Sequence, residues 1–460
     1  MGLLVKNGEI ITASERYFAD IWCGGEEISR IEKNIQPPPN ATVVDAKGKY
    51  VFPGFVDPHA HIYLPFMGTY GKDNYTTASK AALLGGTTCF FDFVIASKTE
   101  QPLAALETWN KNSGGKSACD YAYHIAVTRF DKESESQLRE IVGQGNPSFK
   151  IFLGYKGALG VEDDELFNTL SLAKELGVIT TAHCENAIAI TALQQRFLSE
   201  GKTEPKWHYY TRPPLVEAEG THHFTTFAQL TNADVYIVHL SCAESLSVAQ
   251  RAQNRGVKVW IETLIEYLLL DKTYAEQANF EGAKYVMSPP LREKHNQDIL
   301  WCGLNQGLIS TVGTDHAPFD FADQKRMGIN DFTKIPNGIP ALQDRVNMLY
   351  SYGVLTGKLD IHRFVAVAST EPAKVFGLFP RKGTIQPGAD ADLVIYDPKY
   401  EGKLSAKTHA MNVDYNAFEG WSINGRPDTV TVRGEVAVSG GKFVGKIGRG
   451  TLLSREPTHF

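Results

Sequence analysis

The stretch Gly54-Phe-Val-Asp57-Pro-His59-Ala-His61 places two histidines at the end of a short apolar run. Residues two apart on a strand face the same side, so the two imidazoles can bind one metal ion. The H-x-H pattern alone is a weak signal for a metal site. Its position at the carboxyl end of a predicted strand, after a Pro-Gly turn, strengthens that interpretation.

Strand-like and helix-like segments alternate through residues 53–376. Helical patterns cover Tyr75–Leu84, Asp164–Glu175, Ala187–Leu198 and Glu244–Arg255. Strands are predicted over Phe55–His61, Thr87–Phe93, Tyr121–Val127, Phe149–Leu153, Val178–His183, Val235–His239, Val257–Ile261 and Ile309–Asp315. These alternations predict an α/β protein with a (β/α)8 TIM-like barrel, and a doubly wound sheet is the alternative that periodicity alone does not exclude.

Further residues that can bind a metal lie at or just inside other predicted strand ends, namely Lys150, His183, His239 and Asp315. With the two histidines of the H-x-H pattern, they fall on strands one, four, five, six and eight. The carboxyl ends of all strands of a barrel meet at one face, where active sites lie. Each residue alone is better explained as a packed or surface polar side chain. Together they favour the barrel and one shared metal site.

Lys150 is an unusual member of this set because a free lysine titrates near ~10.4 and its ammonium repels divalent cations. It belongs in a metal site only if its charge is removed and the side chain becomes an acceptor. The sequence alone does not show that chemistry.

Both chain ends consist of short predicted strands separated by turns that contain glycine and proline. They predict a small β-sandwich domain built from residues 1–52 and 377–440, beside a hydrolase barrel over 53–376. Residues 441–460 form a tail that carries Leu452-Leu453. We expect this tail to contact a neighbouring subunit.

The composition is that of an ordinary globular protein, with 43% hydrophobic and 21% charged residues in 460. The net charge is −6 and no cluster of basic residues indicates a nucleic-acid partner. No apolar run of ~18 residues predicts a membrane span, and no signal peptide is recognised. Six cysteines without a C-x-x-C pair indicate reduced thiols. We therefore expect a cytoplasmic protein.

The H-x-H run, the strand-end lysine, the two later histidines and Thr314-Asp-His-Ala-Pro318 resemble the binuclear branch of the amidohydrolase superfamily. Additional stretches narrow the resemblance to D-hydantoinases and dihydropyrimidinases, and it extends from Val5 to the final residues. These stretches are Phe149-Lys-Ile-Phe-Leu-Gly-Tyr-Lys156, Ala182-His-Cys-Glu-Asn186, Ser288-Pro-Pro-Leu-Arg292, Ile335-Pro-Asn-Gly-Ile-Pro340 and Phe376-Gly-Leu-Phe-Pro380.

The resemblance implies two divalent metal ions, with zinc expected and manganese or cobalt as alternatives. Lys150 would be carboxylated on its amine and bridge the ions. His59, His61 and Asp315 would hold the more buried ion. His183 and His239 would hold the other.

The resemblance also implies the reaction, which is ring opening of a 5-substituted hydantoin or a dihydropyrimidine to an N-carbamoyl amino acid. A hydroxide that bridges the metals would attack the ring carbonyl, with Asp315 as general base and then acid. Tyr155 would bind the substrate and donate to the oxyanion. Ser288 and Asn337 would hold the amide edge of the ring.

Leu64 and Phe152 would lie against the ring's substituent, and the family's assemblies imply a homotetramer. The remaining histidines, among them His124, His316 and the pair His222-His223, are not expected at the site.

Three alternatives remain open at this point. Allantoinases, dihydroorotases and imidases share the metal set and differ in the groups that meet the substrate. A mononuclear deaminase would have no use for Lys150. A non-catalytic dihydropyrimidinase-like protein would have lost metal ligands, whereas every ligand position is kept here.

Overall fold

A run of apolar residues that is buried on both faces is typical of a parallel strand covered by helices. Thr87–Ile95, for example, is buried at every position. In the computed structural model, which describes residues 2–458, eight such strands follow one another in one sheet in chain order. They are Phe55–Asp57, Thr87–Ile95, Asp120–Ala126, Ser148–Phe152, Ile179–His183, Val235–Ile237, Val259–Leu264 and Thr311–Gly313.

The first and last strands meet, because the backbone N–H of His61 donates to the carbonyl of His316 at 2.8 Å. The neighbouring Ala60 forms a parallel bridge with His316. The (β/α)8 barrel predicted from the sequence is therefore confirmed. A doubly wound sheet is wrong, since its strand order reverses at a switch point and its edges stay apart.

Polar side chains complete the closure between the first and eighth strands. Asp57 is fully buried, and its Oδ2 accepts a hydrogen bond from the Thr314 hydroxyl at 2.7 Å. Arg345 donates from one guanidinium nitrogen to the carbonyls of Val56 at 3.0 Å and Val312 at 2.7 Å. These bonds hold together the two strand ends that carry the H-x-H pattern and Asp315.

Helices surround the barrel and begin at residues suited to capping. The Asn74 side chain accepts from the amides of Thr76 and Thr77, and Asp131 caps the third helix in the same way. The α-helices are Tyr75–Leu84, Pro102–Ser113, Lys132–Gly143, Asp163–Leu176, Ala187–Ser199, Trp207–Tyr210, Pro214–Thr231, Ala243–Asn254, Ile265–Leu269, His295–Asn305, Arg345–Leu349, Ile361–Val365 and Glu371–Val375. None of these described helices combines the length and apolar character needed to cross a membrane.

Strands from both chain ends form one mixed sheet of nine strands, which confirms the predicted β domain. Tyr50–Pro53 joins the two contributions, because it pairs parallel with Gly2–Ile11 and antiparallel with Leu393–Lys403. The other strands are Arg16–Gly24, Glu27–Glu32, Thr42–Asp45, Ser422–Val432, Glu435–Ser439 and Lys442–Phe443. A two-stranded hairpin, Pro65–Phe66 with Thr69–Tyr70, stands apart near the barrel mouth. The domain limits at residues 52 and 377 stay predictions.

The tail packs beneath the barrel of its own chain. The amide of Leu453 donates to the carbonyl of Tyr121 at 2.8 Å, and Leu453 is buried. Arg455 donates to the carbonyl of Phe376 at 3.1 Å and to the hydroxyl of Ser148 at 3.0 Å. This part of the tail therefore caps the amino-terminal end of the barrel. Its contact with a neighbouring subunit stays a prediction.

Candidate metal centre and active site

One cavity opens at the carboxyl ends of the barrel strands. It brings together every residue predicted for the site, although they come from distant parts of the chain. Its lining includes His59, His61, Leu64, Lys150, Phe152, Tyr155, His183, His239, Ser288, Asp315 and Asn337. Barrel closure explains this convergence, because the strand ends that carry these residues surround one mouth.

Three potential ligand atoms converge between the first and eighth strands. Nε2 of His59 lies 3.3 Å from Nε2 of His61, and the two atoms lie 3.1 Å and 3.0 Å from Oδ1 of Asp315. Two imidazole nitrogens and one carboxylate oxygen form a donor set that suits zinc and similar divalent ions. His59, His61 and Asp315 therefore form a candidate metal site.

Glu262, which the sequence analysis did not single out, orients His59. Its Oε1 lies 2.7 Å from Nδ1 of His59, so Nδ1 donates to Glu262 and Nε2 is the ring atom that faces Asp315. Burial opposes the charged imidazole, but the carboxylates of Asp315 and Glu262 outweigh it and raise the pKa of His59 to about 9. Burial lowers the pKa of His61 to about 4. The sequence signal that could have identified Glu262 is a carboxylate in the mainly apolar strand Val259–Leu264.

A second pair of imidazoles lines the same cavity, where the ring centroids of His239 and His59 are 5.6 Å apart. Nδ1 of His183 is 2.9 Å from Nε2 of His239. Nε2 of His183 lies 2.8 Å from Oε2 of Glu185, and Glu185 is in turn paired with Arg212. Glu185 therefore holds the His183 proton on Nε2 and leaves Nδ1 free toward His239. Glu185 belongs to the family-like stretch Ala182-His-Cys-Glu-Asn186, where no local pattern indicates this orienting role.

Lys150 lies on the fourth strand, lines the same cavity as both groups of ligands and is 1% exposed. Its Nζ lies 5.0 Å from the ring centroids of Phe93 and Phe152. Burial lowers the pKa of Lys150 to about 8, against the opposing carboxylates of Asp315 and Glu262. A neutral amine is the form that can react with carbon dioxide, so this environment fits the lysine carbamate that the family resemblance implies.

Three of the site residues adopt backbone conformations that are rare outside glycine. Tyr155, His239 and Asp315 have φ values of 59°, 43° and 46°. His239 and Asp315 each come two residues after the last residue of a strand. Left-handed backbone at such positions costs roughly 1–3 kcal/mol and is concentrated at functional sites.

Tyr155, Ser288 and Asn337 form a polar wall on one side of the cavity. Nδ2 of Asn337 donates to the Ser288 hydroxyl at 2.9 Å and lies 3.5 Å from the Tyr155 hydroxyl. Burial raises the pKa of Tyr155, so its phenol keeps its proton at neutral pH. Leu64 and Phe152 are each 6% exposed and form part of an apolar wall.

Other histidines have structural partners. His124 lies 2.8 Å from the Ser148 hydroxyl, and Nε2 of His316 lies 2.9 Å from Oδ2 of Asp73. His223 pairs with Asp163 at 3.1 Å in a surface helix. These contacts agree with the expectation that they do not act at the site.

Comparison with known proteins places this geometry in a family. The profile of the amidohydrolase family matches residues 50–437. The chain is 45% identical to a D-hydantoinase of Geobacillus stearothermophilus, over 99% of this chain and 97% of that protein. It is 36% identical to a dihydropyrimidinase of Rattus norvegicus, over 99% and 89% of the two chains.

A solved structure of the D-hydantoinase (dihydropyrimidinase) from Thermus sp. is also similar. It matches this chain with a TM-score of 0.98 and 59% identity, over 100% of both chains. Amidohydrolases depend on metals, in agreement with the candidate site formed by His59, His61 and Asp315. The chain belongs to the amidohydrolase family and is a hydrolase of cyclic amides, related to the D-hydantoinases and dihydropyrimidinases.

Proposed function

We propose that the protein opens 5-substituted hydantoins or dihydropyrimidines to N-carbamoyl amino acids at a binuclear metal centre. The observation that supports this most is the arrangement of ligand atoms in one cavity. The cluster of His59, His61 and Asp315 and the pair of His183 and His239 share that cavity with Lys150.

His59, His61 and Asp315 would hold one divalent ion and His183 with His239 the other, with carboxylated Lys150 between them. When bound, such a pair of ions provides Lewis acidity and a nucleophilic hydroxide at neutral pH. The lowered pKa of Lys150 supports its carboxylation. Zinc is the proposed metal, with manganese or cobalt as substitutes.

Asp315 is the proposed general base and acid. Its neighbours His59 and His61 outweigh the effect of burial and hold the pKa of Asp315 well below its usual value. The carboxylate is therefore ionised at neutral pH and can accept a proton from the nucleophile. It then returns that proton to the ring nitrogen as this nitrogen leaves.

The polar wall would bind the ring. Tyr155 keeps its proton and can donate it in a hydrogen bond to the oxyanion that forms at the attacked carbonyl. Ser288 and Asn337 would hold the amide edge. Their mutual hydrogen bond at 2.9 Å keeps the two side chains at a set separation.

The apolar wall favours hydantoins and dihydropyrimidines over related substrates. Leu64, Phe152 and their neighbours Phe66, Ile95 and Leu159 present carbon atoms to the cavity. The carboxylate of dihydroorotate or the ureide of allantoin would lose hydration against such a surface without gaining a partner. An apolar substituent gains from the same burial.

We also propose a cytoplasmic homotetramer. Large apolar side chains stand exposed on two neighbouring helices, Ala187–Ser199 and Pro214–Thr231. Ile188 is 70%, Leu215 72% and Leu230 68% exposed, and surfaces of this kind commonly mark protein contacts. Light scattering of the full chain and of a chain truncated after Lys446 tests the assembly and the role of the tail. A smaller assembly after truncation supports a subunit contact, and an unchanged mass refutes it.

Ring opening of racemic 5-phenylhydantoin and of dihydrouracil by zinc- or manganese-loaded protein tests the reaction. Chiral analysis of the carbamoyl product shows which enantiomer is used. We expect turnover of at least one substrate. No turnover of either, with two metals bound, would reject these substrates and direct the search to dihydroorotate, allantoin and imides.

A further inference from the structure

Lys325 is a fully buried lysine that the reaction described above does not use. It lies in a short turn, Lys325–Gly328, in the loop region that follows the eighth barrel strand. Its Nζ donates to the carbonyls of Val286 at 3.1 Å, Pro336 at 2.6 Å and Gly338 at 2.7 Å. An ammonium has three donors, so these carbonyls use all of them.

The setting of this ammonium is unusual for a buried charge. Burial disfavours the charged form and lowers the pKa of Lys325, and no acidic side chain of the described residues acts to raise it. Only the hydrogen bonds to the three carbonyls favour the ammonium. A buried charge is costly unless it is fully hydrogen-bonded. Its three hydrogen-bond partners are backbone carbonyls, and the Phe319 ring centroid lies 5.9 Å from Nζ. The lysine therefore stabilises the backbone conformation of the loops that carry those carbonyls.

The three carbonyls belong to the two loops that carry the polar wall of the cavity. Val286 comes two residues before Ser288, and Pro336 and Gly338 lie on either side of Asn337. The two loops also contact each other directly, because the amide of Gly338 donates to the carbonyl of Val286 at 2.9 Å.

Gly338 further limits how these loops can move. It has a φ of +145°, and a Cβ built there would lie 2.3 Å from the carbonyl oxygen of Ala317. The loop that bears Asn337 therefore packs tightly against the segment after Asp315. Lys325 lies at the point where the two loops and this segment meet.

We propose that Lys325 is a positioning residue that fixes the Ser288 and Asn337 loops so that both side chains meet the amide edge of the ring. The inference rests on the proposed function, because it concerns how the protein would bind a cyclic amide. Lys325 touches neither the predicted metal ligands nor the apolar wall through these bonds. Its loss should weaken binding of every cyclic substrate to a similar degree, whatever the substituent.

The test compares Lys325→Met and Lys325→Gln with two control variants in the metal-loaded enzyme. Lys334→Met removes a lysine of the same loop region whose side chain is 69% exposed. Leu170→Ala destabilises a helix on the outside of the barrel through a fully buried side chain. Measurements are the metal content, KM and kcat for 5-phenylhydantoin and dihydrouracil, and hydrogen exchange of the Gly338 amide.

We expect Lys325→Met to raise KM at least tenfold for both substrates, with two metals retained and kcat changed by less than fivefold. Lys325→Gln, which keeps part of the hydrogen bonding, should lie between this variant and the wild type. The Gly338 amide should exchange at least tenfold faster in Lys325→Met. Neither control variant should change KM or the exchange of this amide.

An unchanged KM, or a KM change limited to one substrate, would overturn the proposal. So would unchanged exchange at Gly338. If neither Lys325 variant folds, the lysine supports the whole fold rather than the two loops, and the proposal fails. A wild-type enzyme that turns over no cyclic amide would instead reject the proposed function, and the exchange measurement would still report on the loops.

Discussion

Oε1 of Glu262 lies 2.7 Å from Nδ1 of His59, and the same oxygen accepts a hydrogen bond from the backbone amide of His239 at 2.9 Å. One carboxylate oxygen thus connects a ligand of the first proposed ion with a ligand of the second. Tyr236 donates to the other oxygen of Glu262 at 2.9 Å. The seventh strand therefore carries no proposed ligand but orients two of them.

Replacing Glu262 by Gln should weaken metal binding 10- to 100-fold, the usual effect of changing a carboxylate behind a histidine ligand. The neutral amide no longer favours the proton on Nδ1 of His59, so Nε2 becomes a poorer ligand. Titration of metal-free protein with zinc measures the change. Tyr236→Phe is the control, because it spares Oε1 and should keep affinity within a few-fold. Equal affinity in Glu262→Gln and the wild type would refute the orienting role.

Asp315→Asn should abolish turnover while the fold persists, because an amide cannot take up and return the proton. A loss of at least about 10³ in kcat is expected for an acid–base group that is also a proposed ligand. Steady-state kinetics with circular dichroism measure both properties. Asp298→Asn, at a side chain that is 82% exposed, should behave as the wild type. Activity within a few-fold of wild type in Asp315→Asn would contradict the assignment.

Asp344 should make the free energy of unfolding depend on pH. Burial raises the pKa of Asp344 to about 7, although Asn416 donates one hydrogen bond to it at 2.8 Å. In the unfolded chain an aspartate titrates near ~3.9. Between these values the folded state binds more protons than the unfolded state, so stability falls as pH rises, by up to about 1.4 kcal/mol per unit.

Asp344→Asn removes this dependence. The variant should gain stability relative to the wild type as pH rises from about 4 to about 7, and the difference should level off above pH 7. Urea unfolding at several pH values measures it. If the difference in the free energy of unfolding between Asp344→Asn and the wild type stays constant over this range, Asp344 is ionised in the folded protein at all of these pH values, and the prediction is wrong.

The barrel could be predicted from the sequence because strands buried on both faces leave continuous apolar runs. The first strand shows the limit of that signal. It is predicted over Phe55–His61 and observed over Phe55–Asp57, where the Asp57 side chain accepts from the amide of His59 at 3.2 Å. The strand is interrupted because the amide of His59 donates to this side chain, although backbone hydrogen bonds resume at Ala60 and His61.

Residues that act through distant partners left little signal in the sequence. The sequence around Lys325 is that of an ordinary loop lysine. Its role is not visible there because the carbonyl of Val286 that it binds lies 39 positions away in the chain. The sequence around Arg455 indicates an exposed tail, yet its side chain donates a hydrogen bond to Ser148 beneath the barrel. Such roles depend on tertiary contacts that no local pattern records. The predicted ligands, by contrast, lie at strand ends, where barrel topology alone brings them together.

Lys150 organises the proposed binuclear centre, and the metal-to-protein ratio of wild type and Lys150→Ala measures this role. Lys156→Ala is the matched control, because that lysine pairs with Glu162 at 2.6 Å near the surface. Proteins are loaded with zinc in bicarbonate buffer, dialysed and analysed by mass spectrometry. We expect two ions in the wild type and in Lys156→Ala, and at most one in Lys150→Ala. Two ions retained in Lys150→Ala would contradict it.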